Sequence, residues 1–327
     1  MKILILTRFY LNGQTSHILT LCSELVKMRQ KPYLIMSNLD HPGYLQWLQR
    51  NNIPFSTKAD SNFLRNLIKK HRFHLIHTHS VHTLEIALEL GRQFNIPVIA
   101  TCHYLDFQHL NLLAQADKII TISKEMYRLL NLPQAKTAII ENGINTALFR
   151  PKKPRTLQQF DIIRPSALIV TRMTSKKEQG YINLVEVLLQ HNWKVISIGN
   201  WRPHGLGITY TGWQIDLSNS IPQADLVIGT GRSIRKGMAS GCAVLVLGDY
   251  LDGIVTPKNV GFLREYNFSG RAGKRHAHKY ALTHEIDSLT PDTLVRLQTF
   301  GYQYGAEHFS QQKMAEETLG LYQSCFK

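Results

Sequence analysis

Short apolar runs separated by amphipathic stretches set the rhythm of this chain. The runs at 3–7, 33–36, 75–78, 98–101, 118–122 and 137–140 are four or five residues long and rich in Ile, Val, Leu and Thr, so they read as strands. Between them, 16–29, 84–92 and 124–130 carry apolar residues at helical spacing. Such βα alternation predicts an α/β fold, with a parallel sheet covered by helices on both faces. A second series follows at 167–171, 194–198, 208–211, 225–229 and 244–247. The two series are separated by Phe149-Arg150-Pro151-Lys152-Lys153-Pro154-Arg155, whose prolines and cations read as a solvated linker. The expected organisation is a first domain over 1–150, a linker over 151–165 and a second domain over 166–309. A helical tail over 310–327 follows, anchored by Met314, Leu319, Leu321 and Tyr322.

The length of 327 residues suits two domains of about 150 residues each. No apolar run approaches the ~20 residues of a membrane span. The opening Met1-Lys2-Ile3-Leu4-Ile5-Leu6-Thr7-Arg8 is too short for a signal peptide and reads as a first strand, so a cytoplasmic protein is expected. Cys22, Cys102, Cys242 and Cys325 are widely spaced and read as reduced thiols, mostly core filler; a structural zinc site has no support in them. The formal charge of +15 admits nucleic acid, an anionic membrane or an anionic substrate. Its densest clusters lie at 69–72, 152–155 and 271–279.

In doubly wound sheets ligands bind beyond the carboxyl ends of the strands, so the loops there carry the candidate chemistry. In the first loop, Gly13 precedes a helix and allows close backbone approach to a ligand, or simply makes a turn. His77 and His79 point to one face of a strand, but no carboxylate or cysteine completes a metal set, so the expectation is a histidine pair lining a cleft. His103 follows a strand end, where it faces substrate or makes a local hydrogen bond. Ser123 is a natural helix cap and Asn142-Gly143 a turn signal. In the second half, Arg172-Met173-Thr174-Ser175-Lys176-Lys177 places cations beyond a strand end, as a diphosphate requires. Gly229-Thr230-Gly231-Arg232-Ser233 is a glycine-rich strand-to-helix turn with exposed N–H groups for phosphate. It is neither a Walker loop nor a full GxGxxG.

These segments together resemble glycosyltransferase family 4 and its GT-B relatives nearly end to end. The resemblance is carried by Asn12-Gly13 with 15–37, by 74–106, 116–130 and 139–151, by 170–180 with the family's Arg-x4-Lys pair at Arg172 and Lys177, and by 210–248 and 308–323. It implies the GT-B architecture: two Rossmann-like domains with parallel sheets facing a central cleft, and a C-terminal helix crossing back to the first domain. It also implies a nucleotide-sugar donor, a UDP-sugar or GDP-sugar, used by a retaining hexosyltransferase with no obligatory metal or cofactor. Arg172 and Lys177 would neutralise the leaving diphosphate. His103 would contact the transferred sugar, and Gly13 would let the first loop approach donor and acceptor. The residues around Gly212 and Trp213 would hold the base, and Gly231, Arg232 and Ser233 would flank the nucleotide. The implied acceptor is a lipid-linked or cell-envelope glycan.

One departure stands out. The family carries two donor-site glutamates eight apart, the second opening an "EAM" turn that binds the ribose. Here that turn reads Arg235-Lys236-Gly237-Met238, with Lys236 in the glutamate's place, and no Asp or Glu lies between Asp225 and Asp249. The first glutamate's position holds Ile228, or the register shifts into Gly229-Thr230-Gly231. Asp252-Gly253-Ile254-Val255-Thr256-Pro257-Lys258-Asn259 resembles a subset that lacks that first glutamate but keeps the second. A carboxylate accepts hydroxyl hydrogen bonds whereas an ammonium only donates. Lys236 therefore supports an alternative, a non-catalytic GT-B protein partnering an active transferase. A nucleic-acid-modifying enzyme is a third reading; nucleic acid is the less expected partner because no basic stripe interleaves with aromatics. Arg65, Lys69 and Lys70 beside Leu64, Leu67 and Ile68 form a basic amphipathic face. It suits either a solvated helix or peripheral contact with the anionic inner face of the plasma membrane.

Overall fold

The computed structural model describes residues 1–107, 109–151, 164–203 and 205–326. They form two compact units, one of Met1–Gly143 with Gln311–Lys327 and one of Ile144–Ser310. The expected linker lies, but for its ends, outside the described residues, as does the cation cluster at 152–155.

The first unit runs β1 (Lys2–Phe9), α1 (Gly13–Lys27), β2 (Lys31–Leu39), α2 (Gly43–Arg50), β3 (Phe55–Ser56), α3 (Ser61–His71) and β4 (Leu75–Thr78). It continues through α4 (Val81–Phe94), β5 (Val98–Cys102), a single turn α5 (Leu110–Leu113), β6 (Lys118–Thr121), α6 (Lys124–Leu129) and β7 (Thr137–Ile139). The strands lie in the order β3-β2-β1-β4-β5-β6-β7, and every pair is parallel. β4 and β5 are buried at every position, which is why they read as unbroken apolar runs rather than alternating ones. Helix starts follow local chemistry: the side chains of Asn12, Asp60, Ser80 and Ser123 accept the N–H groups of Thr15, Phe63, His82 and Met126. Leu64, Leu67 and Ile68 of α3 face the core, while Lys69 and Lys70 are exposed. Arg65, on the same helix, is engaged by Glu89 and Gln93 of α4.

The second unit contains β8 (Ser166–Thr171), α7 (Ser175–Gln190), β9 (Lys194–Gly199), β10 (Thr209–Tyr210), β11 (Leu226–Gly229), α8 (Arg232–Ala239) and β12 (Ala243–Leu247). After these come β13 (Leu251–Ile254), α9 (Val260–Glu265), α10 (Lys279–Asp287) and α11 (Pro291–His308). Its order is β10-β9-β8-β11-β12-β13. All pairs are parallel except β12 with β13, so the sheet is dominated by parallel pairs, as expected, with one antiparallel pair at its edge. Only Gly248, Asp249 and Tyr250 join those two strands, a link too short for a parallel crossover. Two apolar layers cover this sheet, one built on Tyr181, Leu184 and Leu188 of α7, the other on Ile234 and Met238 of α8.

The chain closes with α12 (Gln311–Gln323), which belongs to the first unit. Gln311 donates to Glu24 of α1 at 2.7 Å, the Gly143 N–H points at Met314 Sδ at 3.1 Å, and the Tyr322 hydroxyl meets His77 Nδ1 at 2.6 Å. Cys22, Cys102 and Cys242 are buried and Cys325 is half-buried; all four are free thiols.

Candidate functional site

Within the second unit, the residues beyond the strand ends converge on one cationic corner. β8 ends at Thr171, and the loop that follows is clamped by Asn200. Its side-chain oxygen accepts the Met173 N–H at 2.7 Å, and its amide donates to the Met173 carbonyl at 3.3 Å. This fixes Arg172 at the mouth of α7. Lys177 stands in the first turn of that helix, not in the loop as its sequence position had suggested. Burial lowers the Lys177 pKa, with Asp249 opposing that shift and Arg271 and Arg172 adding to it. Arg172, Lys177, Arg271 and Asp249 therefore share one neighbourhood, at the N-terminus of a helix of 16 residues. Helix N–H groups and three cations favour an anion there.

Gly229 and Gly231 shape the adjoining turn. A Cβ on Gly229 would lie 2.5 Å from the Val170 carbonyl oxygen, so β11 can pack on β8 here only without a side chain. Gly231 has φ +55° and donates to the Phe268 carbonyl at 2.9 Å. Asn267 and Phe268 are themselves left-handed, at φ 53° and 51°, which is unusual for a bulky aromatic. From this turn α8 begins, with Arg232 buried and Ser233 half-buried. Arg235 is fully buried; its guanidinium lies 4.7 Å from the Phe309 ring centroid and 5.4 Å from that of Phe268.

Lys236, the residue that departs from the family pattern, lies on the buried side of α8 with its ammonium 4.9 Å from the Phe149 ring centroid. Desolvation, with help from Arg232 and against the pull of Asp216, pushes its pKa down to about 7. The position read in the sequence as that of the family's second glutamate thus holds an ammonium close to losing its proton at neutral pH. Gly212 is left-handed at φ +72° and its carbonyl accepts from Gly199 N–H at 3.1 Å, which docks this loop beyond β9 and β10. The adjacent Trp213 has a buried indole N–H without a hydrogen-bond partner, a donor to which a bound base would be complementary.

In the first unit, Gly13 opens α1 behind the Asn12 cap. Asn12 also donates to the Tyr104 hydroxyl at 2.7 Å, tying the first loop to the segment after β5. His103, half-buried just beyond β5, meets His79 with its Nε2 3.1 Å from His79 Nδ1. His77 and His79 do not line a cleft. His77 is fully buried, with Nδ1 on Tyr322 and Nε2 2.7 Å from Thr101, and its pKa is lowered to about 3, by burial first and His103 second. His79 is 1 % exposed, and burial, then its histidine neighbours, hold it well below the ordinary range.

Sequence reasoning missed Asp249, Arg271 and His17. Asp249 follows the end of β12, so the strand-end rule that selected Arg172 reaches it too. Arg271 and His17 carry no such signal, since only tertiary packing brings them to Lys177 and His103. The cluster at 271–279 is no continuous basic stripe. Arg271 turns to Lys177, Arg275 pairs with Glu285 at 2.6 Å, and Lys279 pairs with Glu186 at 2.6 Å.

Residues 11–148 match the model of Glycosyltransferase Family 4. No curated protein sequence matches the chain. Among solved structures, a glycosyltransferase from Rickettsia africae aligns over 100% of this chain and 98% of its own at 18% identity, with a TM-score of 0.73. HepE of Anabaena, solved with UDP and glucose, aligns over 99% and 100% at 16% identity and a TM-score of 0.75. Sucrose-phosphate synthase of Thermosynechococcus elongatus aligns over 99% of both chains at 16% identity and a TM-score of 0.72. The chain is thus similar to family 4 in sequence over its first half, and it has the GT-B glycosyltransferase fold, an α/β architecture of two domains. Among the described residues no helix is long and apolar enough to cross a membrane.

Proposed function

We propose that this chain is a retaining glycosyltransferase that takes its sugar from a nucleotide-sugar, a UDP-sugar before a GDP-sugar, and passes it to a lipid-linked or cell-envelope glycan. The observation that carries the reading is the corner of the second unit where Arg172, Lys177 and Arg271 gather at the N-terminus of α7. A cationic corner of this kind stabilises the charge that develops on a leaving nucleoside diphosphate, and it does so most strongly as the glycosidic bond breaks. HepE, whose structure holds UDP and glucose, supports the choice of base. In this reading the Gly231, Arg232 and Ser233 turn flanks the nucleotide, Gly212 and Trp213 hold the base, Gly13 admits the donor and acceptor, and His103 contacts the transferred sugar. Lys236 meets the ribose in the glutamate's place, offering N–H donors where the carboxylate would only accept. The exposed Lys69 and Lys70 on α3 fit peripheral contact with an anionic inner membrane surface, and a cytoplasmic enzyme acting there would meet lipid-linked acceptors.

The test is release of nucleoside diphosphate from a panel of UDP- and GDP-sugars, with and without lipid-linked glycans. Turnover that requires one donor, with the anomeric configuration kept in the product, supports the proposal. A second reading, a non-catalytic partner of an active transferase, is favoured by Lys236 alone. Nucleotide binding without turnover across the panel, together with capture of a second transferase, would establish it instead.

A further inference from the structure

We propose that His17, His79 and His103 form a binding site for one transition-metal cation of the zinc type. The site lies within the first unit and takes His103, the residue proposed above to contact the transferred sugar, so a metal and that contact exclude each other at its Nε2. Each histidine comes from a different element. His17 is on α1, whose start is fixed by the Asn12 cap; His79 follows β4; His103 follows β5. One ring nitrogen from each lies within 4.8 Å of the other two. His79 Nδ1 and His103 Nε2 are already 3.1 Å apart. Two imidazole nitrogens on a tetrahedral zinc, at about 2.0–2.1 Å from the metal, sit about 3.3 Å from each other.

The surroundings of His79 differ from those of an ordinary buried histidine. His79 is 1 % exposed, yet its Nε2 has no hydrogen-bond partner, and its Nδ1 faces only another histidine. It is Nδ1 that stands at ligand separation from His103 Nε2, and a metal would give those two facing nitrogens a shared partner while leaving His79 Nε2 as it is. His77 shows the ordinary arrangement beside it, with Thr101 and Tyr322 taking its two nitrogens, so it packs against the cluster (4.0 Å between ring centroids) without joining it. Three imidazoles and no carboxylate suit zinc, copper or nickel rather than magnesium or calcium. Three protein ligands leave a fourth coordination position for water or a hydroxyl.

The experiment is equilibrium dialysis of chelator-treated full-length protein against Zn2+, with Co2+ as a spectroscopic probe of geometry. The expected result is one zinc per chain and a tetrahedral cobalt spectrum. His17→Ala and His79→Gln should each weaken zinc binding at least ~100-fold, since each removes one of three ligands. The double variant His276→Ala/His278→Ala removes an exposed histidine pair with ring centroids 5.6 Å apart and should leave the affinity unchanged. Absence of bound zinc, or binding that survives His79→Gln at full strength, overturns the proposal. If His79→Gln fails to fold, the cobalt spectrum of the intact protein decides, and an octahedral spectrum overturns it. UDP titration of the same samples reports the donor reading separately, so intact UDP binding without zinc binding sinks the metal site alone.

Discussion

Replacing Lys236 by Met removes a buried ammonium while keeping an unbranched side chain of similar length, so its effect on folding follows from the charge. In the folded protein the Lys236 pKa falls to about 7, whereas an unfolded lysine titrates near 10.4. Between those values the unfolded chain binds the proton and the folded chain does not. Stability therefore rises with pH across that window and is lowest below pH 7. A difference of about 3.4 pKa units amounts to about 4–5 kcal/mol in total, of which about 3–4 kcal/mol is recovered between pH 7 and pH 10. Lys236→Met should then be the more stable protein at pH 7, by about 3–4 kcal/mol, and the advantage should shrink toward zero at pH 10. The difference between the two proteins isolates this residue, because Lys177, also lowered by burial, contributes equally to both. The assay is urea unfolding at pH 7, 8.5 and 10 followed by tryptophan fluorescence; Trp193, Trp201 and Trp213 of the four tryptophans report the second unit. Equal stabilities at pH 7, or parallel pH profiles, would mean instead that the ammonium is hydrated or paired in the folded state.

Three further outcomes follow from single contacts. His77→Phe should destabilise the first unit by about 2–4 kcal/mol in denaturant titrations, because the buried hydroxyls of Thr101 and Tyr322 both lose their partner. Tyr181→Phe should cost about 1 kcal/mol in the same assay, the worth of the 2.6 Å hydrogen bond its hydroxyl donates to the Leu247 carbonyl. Gly229→Ala should cost about 1–3 kcal/mol and weaken nucleotide binding, since the added methyl meets the Val170 carbonyl and shifts the turn into α8. Unaltered unfolding and UDP titrations in that variant would show that the turn tolerates a side chain.

The βα alternation was legible because a strand covered on both faces must be apolar throughout and its crossover helices must be amphipathic. Ser123 was readable as a cap because a serine at a helix start accepts a first-turn N–H, and its hydroxyl takes the Met126 N–H at 3.2 Å. What sequence could not supply were features set by packing at a distance. β13 reverses direction because its hairpin is short, and Leu251-Asp252-Gly253-Ile254 carries no sign of pairing direction. His77 and His79 looked like a lone pair because the rings that complete their surroundings, His17 and His103, come from positions 60 residues before His77 and 24 after His79. Arg271 reached Lys177 from a run that reads as a uniform basic cluster. At Lys236 the sequence exposed the departure from the family pattern, and only the structure shows that its ammonium is buried against Phe149.

In the proposed function the second unit grips a nucleoside diphosphate through Arg172, Lys177 and Arg271. Calorimetric titration of the intact protein with UDP, UMP and uridine tests it most directly, alongside Lys177→Ala. The expected result is one UDP site, progressive loss of affinity as phosphates are removed, and a further drop of about 10–100-fold in the variant, the weight of one charge-assisted contact of about 1.5–3 kcal/mol. UDP binding no tighter than uridine, or unchanged in Lys177→Ala, would contradict it.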